Sequence, residues 1–282
     1  MRYFKFTRVI GVKKNKLKRK HICSRDKEAG NLYDLFHTRD RLHRRAYQHK
    51  VTKNVEIMIK DALLKANNLI QFKGRDGEFT ISDAKNDMEA YIQLTDQVTE
   101  RILGSSSPEL EQAKNILERI MRRDLYKLVG EAKGQNKQHK KISKKKITNK
   151  LKAVLPRGVK GHHNDYFEVV PVTYSYGKGD KDPVECSYFY KKDEPQKAFK
   201  ISKQQVSNFL PECFLEQTIR LYWKNKDEDK EEDKKQLKDV AEKFKVWCKD
   251  NGFQVDIYPH QPPQDEAQHQ EPSTKRQKRK QS

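Results

Sequence analysis

The stretch Arg25-Asp26-Lys27-Glu28-Ala29-Gly30-Asn31-Leu32-Tyr33-Asp34-Leu35-Phe36-His37-Thr38-Arg39, resumed at Leu42-His43-Arg44-Arg45-Ala46-Tyr47-Gln48-His49-Lys50, decides how the chain begins to fold. Leu32, Leu35, Phe36, Leu42 and Ala46 recur at helical spacing, which predicts a helix from Asp26 to about Gln48 with Asp26 as N-cap. At 100° per residue Arg39, His43 and Tyr47 stand i, i+4, i+8, in the sector of Leu32, Leu35 and Phe36, so three polar groups are expected on the buried side. A buried Arg and His need partners, because an unpaired charge is costly to desolvate. Two solutions stay open: an anionic ligand such as a triphosphate, with the Arg on phosphate and the Tyr on a sugar or base, or an internal ion pair with Asp34 or Asp61. Arg45 and His49 make a second i, i+4 pair in another sector, extended by Lys50, while Arg25, Lys27 and Asn31 add donors at the other end. These suit either a second phosphate group, aided near Arg25 and Lys27 by the helix N-terminus, or a solvated basic face.

Upstream, residues 3–12 and 17–24 alternate apolar and basic around Lys13-Lys14-Asn15-Lys16, the pattern of a β-hairpin with one wet face. Downstream, Val55, Met58, Ile59, Ala62, Leu63 and Ala66 predict a second helix over Val51–Ile70. Gly74-Arg75-Asp76-Gly77 marks a turn, Ser82–Gly104 reads as one or two helices, and Pro108–Arg123 as another. Between Lys133 and Lys160 lysines crowd out apolar anchors, which predicts a mobile basic connection or an exposed hairpin. Period two returns in Phe167–Val172 and Cys186–Tyr190, a third apolar run follows at Phe214–Trp223, and Lys234–Trp247 is helical. The expected fold is therefore mainly α with an initial β-hairpin, followed by a small α+β lobe with antiparallel strands. The expected divisions are a helical domain at 1–131, a basic flexible connection at 132–165, the lobe at 166–258 and a disordered basic tail at 259–282.

The 282 residues are 34% hydrophobic and carry a formal net charge of +21, enough apolar content for a core and a surface that faces something anionic. No run approaches the ~20 apolar residues that span a bilayer, and Met1–Phe6 has no signal-peptide core, so a soluble intracellular protein without a membrane partner is expected. Cys23, Cys186, Cys213 and Cys248 are scattered, which predicts reduced thiols in ordinary packing. Metal-dependent phosphohydrolysis needs several His and Asp ligands, yet the sequence has no His-Asp dipeptide, and His162-His163-Asn164-Asp165 is not expected to bind metal. Gly-rich P-loop, G-x-S-x-G and H-E-x-x-H signatures are also missing. Arg123 and Lys127, four apart where helix gives way to strand, are a weak signal by themselves.

The run Cys23–Arg39 and then Leu42–Lys50 closely resembles the SAM-and-HD-domain deoxynucleoside triphosphate triphosphohydrolases. The resemblance continues through Asp87-Met88-Glu89-Ala90-Tyr91, Arg123-Asp124-Leu125-Tyr126-Lys127, Gln205-Val206-Ser207, Leu210-Pro211-Glu212 and Trp247-Cys248. It covers about residues 2–250 and is weakest at 132–165. It implies a family that converts a dNTP to deoxynucleoside and triphosphate, and that assembles into a tetramer when GTP or dGTP and then a dNTP, with Mg²⁺, fill paired allosteric sites. Arg39, His43, Tyr47 and Gln48 match the substrate pocket; Arg2, Arg25, Lys27, Asn31, Arg45, His49, Lys50 and Lys191 match the allosteric dNTP site; Arg123 and Lys127 match positions that hold the guanine nucleotide.

The same resemblance places the family's SAM domain, catalytic metal ligands and catalytic His before the position of Arg2. This chain is accordingly expected to carry the C-terminal part of an HD-type helical domain, with nucleotide-binding residues, no metal site and no activity by itself. Its expected partners are nucleotides and either copies of itself or a full-length paralogue. The alternative is a non-catalytic module that binds nucleotide or single-stranded nucleic acid through its basic surface, with Tyr188, Phe189 and Tyr190 available for stacking or else in a core or interface. The cluster Lys275–Lys280 reads as a nuclear-localisation signal, a polyanion contact or a solvated tail; a nuclear protein, with a cytoplasmic pool left open, is expected.

Overall fold

The computed structural model describes residues 7–14, 17–134, 143–155, 166–206, 211–224 and 231–258. Arg2, the hairpin tip at 15–16, His162, His163 and the tail at 259–282 lie outside the described residues. Strands β1 (Thr7–Lys14) and β2 (Leu17–Arg25) form the expected antiparallel hairpin, with Val9 opposite Ile22. Period two sorts its side chains: Ile10 and Cys23 turn inward, while Val9 and Ile22 face outward.

A 3₁₀ turn, Asp26–Glu28, delays the next helix, so α1 spans Ala29–Leu42. Asp26 does not cap α1 as expected. Its carboxylate accepts from the Lys27 backbone N–H at 2.9 Å and from Arg25 Nε at 3.1 Å. At His43 the helix widens into a π turn, His43–Tyr47, and α2 begins only at Lys50 and runs to Ala66. The Gln48 N–H donates to the His43 carbonyl at 2.6 Å, an i→i+5 bond, so a projection at 100° per residue fails beyond His43.

Helix α2 packs on α3 (Met88–Tyr91), α4 (Gln97–Leu103) and α5 (Glu111–Met121) around Met58, Ala62, Ile102 and Leu117. Between them β3 (Gln71–Lys73) and β4 (Glu78–Thr80) make a small hairpin, turned at Gly77, whose φ of +142° favours glycine. The chain then enters β5 (Lys127–Gly134), which crosses the expected boundary at 131 and joins the sheet of the second half.

That sheet is wholly antiparallel in the order β10-β5-β9-β6, with β6 at Phe167–Ser175, β9 at Leu215–Trp223 and β10 at Phe253–Ile257. Two helices, α6 (Lys144–Val154) and α8 (Glu231–Asp250), cover one face of it. Helix α6 corrects the expectation of a flexible connection: Ser143 caps it, and Ile147 and Leu151 are fully buried beside Phe167, Leu221 and Phe244. Ile147, Leu151 and Leu155 provide an i, i+4, i+8 stripe that the surrounding lysines obscured. Strand β7 (Tyr188–Tyr190) pairs with β8 (Ala198–Phe199), followed by the short helix α7 (Lys203–Val206). β7 also pairs in parallel with β2, so the two halves share this sheet as well. Phe189 and Tyr190 are core residues, which removes them as platforms for stacked bases. Of the cysteines, Cys23 and Cys248 pack as expected, whereas Cys186 and Cys213 are exposed; burial pushes the Cys248 thiol up to about 12.

Strand β9 is central and buried on both faces. Ile219, Leu221 and Trp223 point into the core under α6 and α8, while Arg220 and Tyr222 point toward the helical half. At its end Lys224 Nζ lies 2.7 Å from Asp61 and 3.3 Å from Glu168, and Lys60 Nζ lies 2.9 Å from Glu168. Burial works against the Glu168 carboxylate, but the Lys60 hydrogen bond and the Lys224 charge outweigh it and hold its pKa below the ordinary 4.5. Asp61 also accepts from the buried Tyr126 hydroxyl at 3.1 Å, which with desolvation raises the pKa of that phenol.

Two outcomes follow for stability. Leu151→Ala should cost ~2–5 kcal/mol in urea unfolding, as for any buried leucine, while Lys150→Ala on the exposed side of α6 should fall within ~0.5 kcal/mol of wild type. Because the folded pKa of Glu168 is depressed, the unfolded chain binds that proton more readily; the contribution is present above 4.5 and is lost as pH falls through the folded value. Glu168→Gln should therefore flatten the acid side of a stability-against-pH curve relative to wild type.

Candidate functional site

The predicted ligand residues fall into three places. At the N-terminal end of α1, the parallel register pairs Arg25 with Tyr190, so Lys191 of the second half emerges one step beyond Arg25. Lys27 and Lys191 are exposed there, and Asn31 Nδ2 donates to Glu28 at 2.6 Å. Arg25, Lys27, Asn31 and Lys191 are thus brought to one edge, a convergence produced by a pairing of strands more than 160 residues apart in sequence.

At the far end, the π turn and the start of α2 carry His43, Arg45, Tyr47, Gln48, His49 and Lys50. The 14 residues of α1 separate the two groups by about 20 Å. Arg45, His49 and Lys50 therefore do not meet Arg25, Lys27, Asn31 and Lys191 within one chain. His49 Nδ1 accepts from the Val51 N–H at 3.3 Å and caps α2. Lys50 Nζ sits 4.8 Å above the Tyr258 ring.

The expected buried polar stripe is not formed. Arg39 and Tyr47 are exposed, Tyr47 at 58%, and so is Leu35 at 58%. The inward face of α1 is instead Ala29, Tyr33 and Asp40, with Tyr33 donating to the buried Asp182. Arg39 pairs with neither Asp34 nor Asp61: its Nη1 donates to the Ser175 carbonyl at 2.9 Å, while Asp61 takes Lys224. His43 stands edge-on to Tyr47, ring centroids 5.3 Å apart. An open cleft of about 440 Å³ nearby is bordered by Asp40, Arg44, Tyr174 and Glu216 and by none of the predicted substrate residues.

The third place is the end of α5. Arg123 has φ of +62°, the one non-glycine residue in the left-handed region among those described. Its N–H donates to the Ile120 carbonyl at 3.1 Å and the Asp124 N–H to Arg119 at 2.9 Å, a helix C-cap of the kind usually given to glycine. The Arg123 side chain is exposed there. Lys127 follows on β5 opposite Trp223.

Sequence reasoning missed a fourth group, which supports these residues from behind. Arg220 Nη1 donates to the Gln48 carbonyl at 2.6 Å, the Tyr222 hydroxyl to the Lys50 carbonyl at 2.8 Å, and Arg44 lies 4.3 Å above the Tyr174 ring. The run Ile219–Trp223 carried the signal: an Arg set between Ile219 and Leu221 in a buried stretch has to have partners.

No catalytic metal fits the described residues. Among them no three His, Cys, Asp or Glu side chains gather to hold an ion. Among the described histidines, His37 Nδ1 lies 2.8 Å from the Tyr176 hydroxyl, His49 caps α2, and His21 leans on Tyr188 with centroids 4.8 Å apart.

Arg123→Gly separates stability from binding. Glycine relieves the left-handed strain, so the variant should melt at or above the wild-type temperature, by up to ~1 kcal/mol, while losing the guanidinium. If Arg123 serves the guanine nucleotide that the resemblance implies, GTP affinity measured by calorimetry should fall in that variant without any loss of fold.

No protein-family model matches the chain. It is 46% identical over 257 residues to deoxynucleoside triphosphate triphosphohydrolase SAMHD1 of Danio rerio and 43% identical over 259 residues to that of Homo sapiens, in each case over 89% of this chain and 39% of the relative. The SAMHD1 homolog of Dictyostelium discoideum is 34% identical over 209 residues, 73% of this chain and 37% of that protein. The chain thus spans about two-fifths of the length of the curated relatives it matches. With identity of this level sustained over nearly nine-tenths of its residues, the chain belongs to the SAMHD1 family of deoxynucleoside triphosphate triphosphohydrolases.

Proposed function

We propose that this chain carries the nucleotide-binding and assembly-controlling part of a dNTP triphosphohydrolase, and that by itself it binds nucleotides and associates without hydrolysing them. The observation that carries the reading is the division of one predicted anion site between the two ends of α1. Arg25, Lys27, Asn31 and Lys191 sit at one end, and Arg45, His49 and Lys50 about 20 Å away. A single triphosphate cannot reach both groups in one chain, but two chains set end to end complete the site. Nucleotide then becomes the bridge between copies, and association follows ligand by mass action.

In this reading Arg39, His43, Tyr47 and Gln48 face a substrate dNTP, and the exposure of Arg39 and Tyr47 suits a pocket whose other wall is not made by these residues. Arg123 and Lys127 take the guanine nucleotide, GTP or dGTP, with Mg²⁺ neutralising part of the triphosphate. A further proposal concerns location: the Lys275–Lys280 cluster suits a nuclear protein.

The test combines size-exclusion chromatography of the 282-residue chain with a triphosphate-release assay, both with GTP, dATP and Mg²⁺. The expected result is a shift to larger species with nucleotide, weakened by added salt and abolished in Arg45→Ala/Lys50→Ala, with no triphosphate released. Triphosphate release would overturn the claim of an inactive chain, and a monomer at all nucleotide concentrations would overturn the bridging site.

A further inference from the structure

The junction between α1 and α2 breaks the regular helix with a π turn, yet it presents more of the proposed ligand residues than any other segment. Its shape is not self-supporting. The Gln48 backbone, at φ −116° and ψ 16°, belongs to neither helix. Its carbonyl is one of the groups a helix end leaves without an intrahelical partner. That carbonyl takes Arg220 Nη1 at 2.6 Å and the Tyr174 hydroxyl at 3.3 Å.

Arg220 uses all three of its nitrogens. Nε donates to Glu131 at 3.1 Å, Nη1 to Gln48 and Nη2 to the Tyr174 hydroxyl at 3.0 Å. The guanidinium is buried, its side chain 5% exposed, and Glu131, its cross-strand neighbour on β5, neutralises it. Two residues further along the strand, on the same face, Tyr222 holds the Lys50 carbonyl. Two successive inward side chains of β9 therefore hold two carbonyls that flank His49.

A buried ion pair is a poor stabiliser, because its attraction barely offsets the desolvation of both charges; well-packed apolar side chains serve as well. What a planar, three-nitrogen donor supplies and an apolar pair does not is geometry. We infer that Arg220 is a positioning residue for the nucleotide site: through Gln48, and with Tyr222 through Lys50, it sets the backbone from which Arg45, His49 and Lys50 reach a ligand phosphate. This rests on the nucleotide-bridging reading above.

The experiment uses the full chain with dGTP and Mg²⁺ as probe. Variants are Arg220→Lys, which keeps the charge but not the fork, and Arg220→Met/Glu131→Met, which replaces the pair by apolar side chains. Amide hydrogen exchange is read at Gln48, His49 and Val51 against α5 and α8, and dGTP affinity by calorimetry. Both variants are expected to keep a cooperative melt and wild-type exchange in α5 and α8. Exchange at the three junction amides should rise, and dGTP affinity should fall, each by about tenfold, the size of one charge-assisted hydrogen bond.

Unchanged junction exchange in a folded variant overturns the positioning role, as does a uniform rise across all elements, which is the mark of general destabilisation. If neither variant folds, Tyr222→Phe decides: it removes one hydroxyl and leaves the charge pair, and a rise in exchange confined to the junction supports the same strut. Failure of the wild-type chain to bind dGTP would instead sink the nucleotide reading, with junction exchange still deciding what Arg220 holds.

Discussion

Everything in this molecule depends on one strand being buried on both faces. From Gln217 to Trp223 each residue of β9 is buried, and alternate side chains belong to different interiors. Ile219, Leu221 and Trp223 close the core under α6 and α8, while Tyr222 joins the core of α2 and α5 and Arg220 reaches the α1–α2 junction. A strand can serve two interiors in this way only because its side chains alternate strictly; a slip of one residue would put Arg220 among leucines and Leu221 against backbone carbonyls. Nine residues of pairing with β6 and the ladder with β5 fix that register.

The charged contacts divide by depth, and depth decides their worth. Pairs such as Lys197 with Glu194, Lys234 with Glu231 and Lys243 with Asp239 link neighbouring turns on the surface, where solvent screening leaves them about 0–1 kcal/mol. Lys224 with Asp61 and Glu168, and Arg220 with Glu131, are sequestered between elements far apart in sequence. Their net contribution to stability is modest, but removing one member leaves a buried charge alone. They act as orientation devices, tying α2 to β9 and β6 at one end and the π turn to β9 at the other.

The local rules of sequence carried far into this fold. Alternation at 3–12 and 17–24 pointed to the hairpin found at Thr7–Lys14 and Leu17–Arg25, apolar spacing gave α2, α5 and α8, and Pro108 opens the 3₁₀ turn leading to α5. Where reading failed, the deciding energy was not local. The π turn at His43–Tyr47 is held by Arg220 and Tyr174, 172 and more than a hundred residues away, so nothing in the helix's own pattern announces it. Helix α6 was hidden because charge density outweighed a three-residue apolar stripe, although those few side chains are all that its packing uses. The convergence of Lys191 on Arg25 comes from a parallel pairing, which no short-range pattern encodes. Arg39, His43 and Tyr47 were assigned a common face by assuming one continuous helix, and the change of pitch at His43 removes the premise.

A net charge of +21 opposes the approach of like copies, and the arrangement of that charge gives the opposition a use. The cations proposed for nucleotide are concentrated at the two ends of α1 on exposed or half-exposed positions, Arg25 among them beside Asp26. Between two such ends a polyphosphate bound as proposed would convert repulsion into attraction, because each guanidinium and ammonium would then face an anion rather than another cation. In the proposed reading the charges that oppose association without nucleotide favour it with nucleotide, so the basic surface would sharpen the dependence on ligand. In the proposed reading the π turn sets where Arg45 and Lys50 stand, and the hydrogen bonds of Arg220 and Tyr222 to the Gln48 and Lys50 carbonyls tie that turn to a strand of the second half.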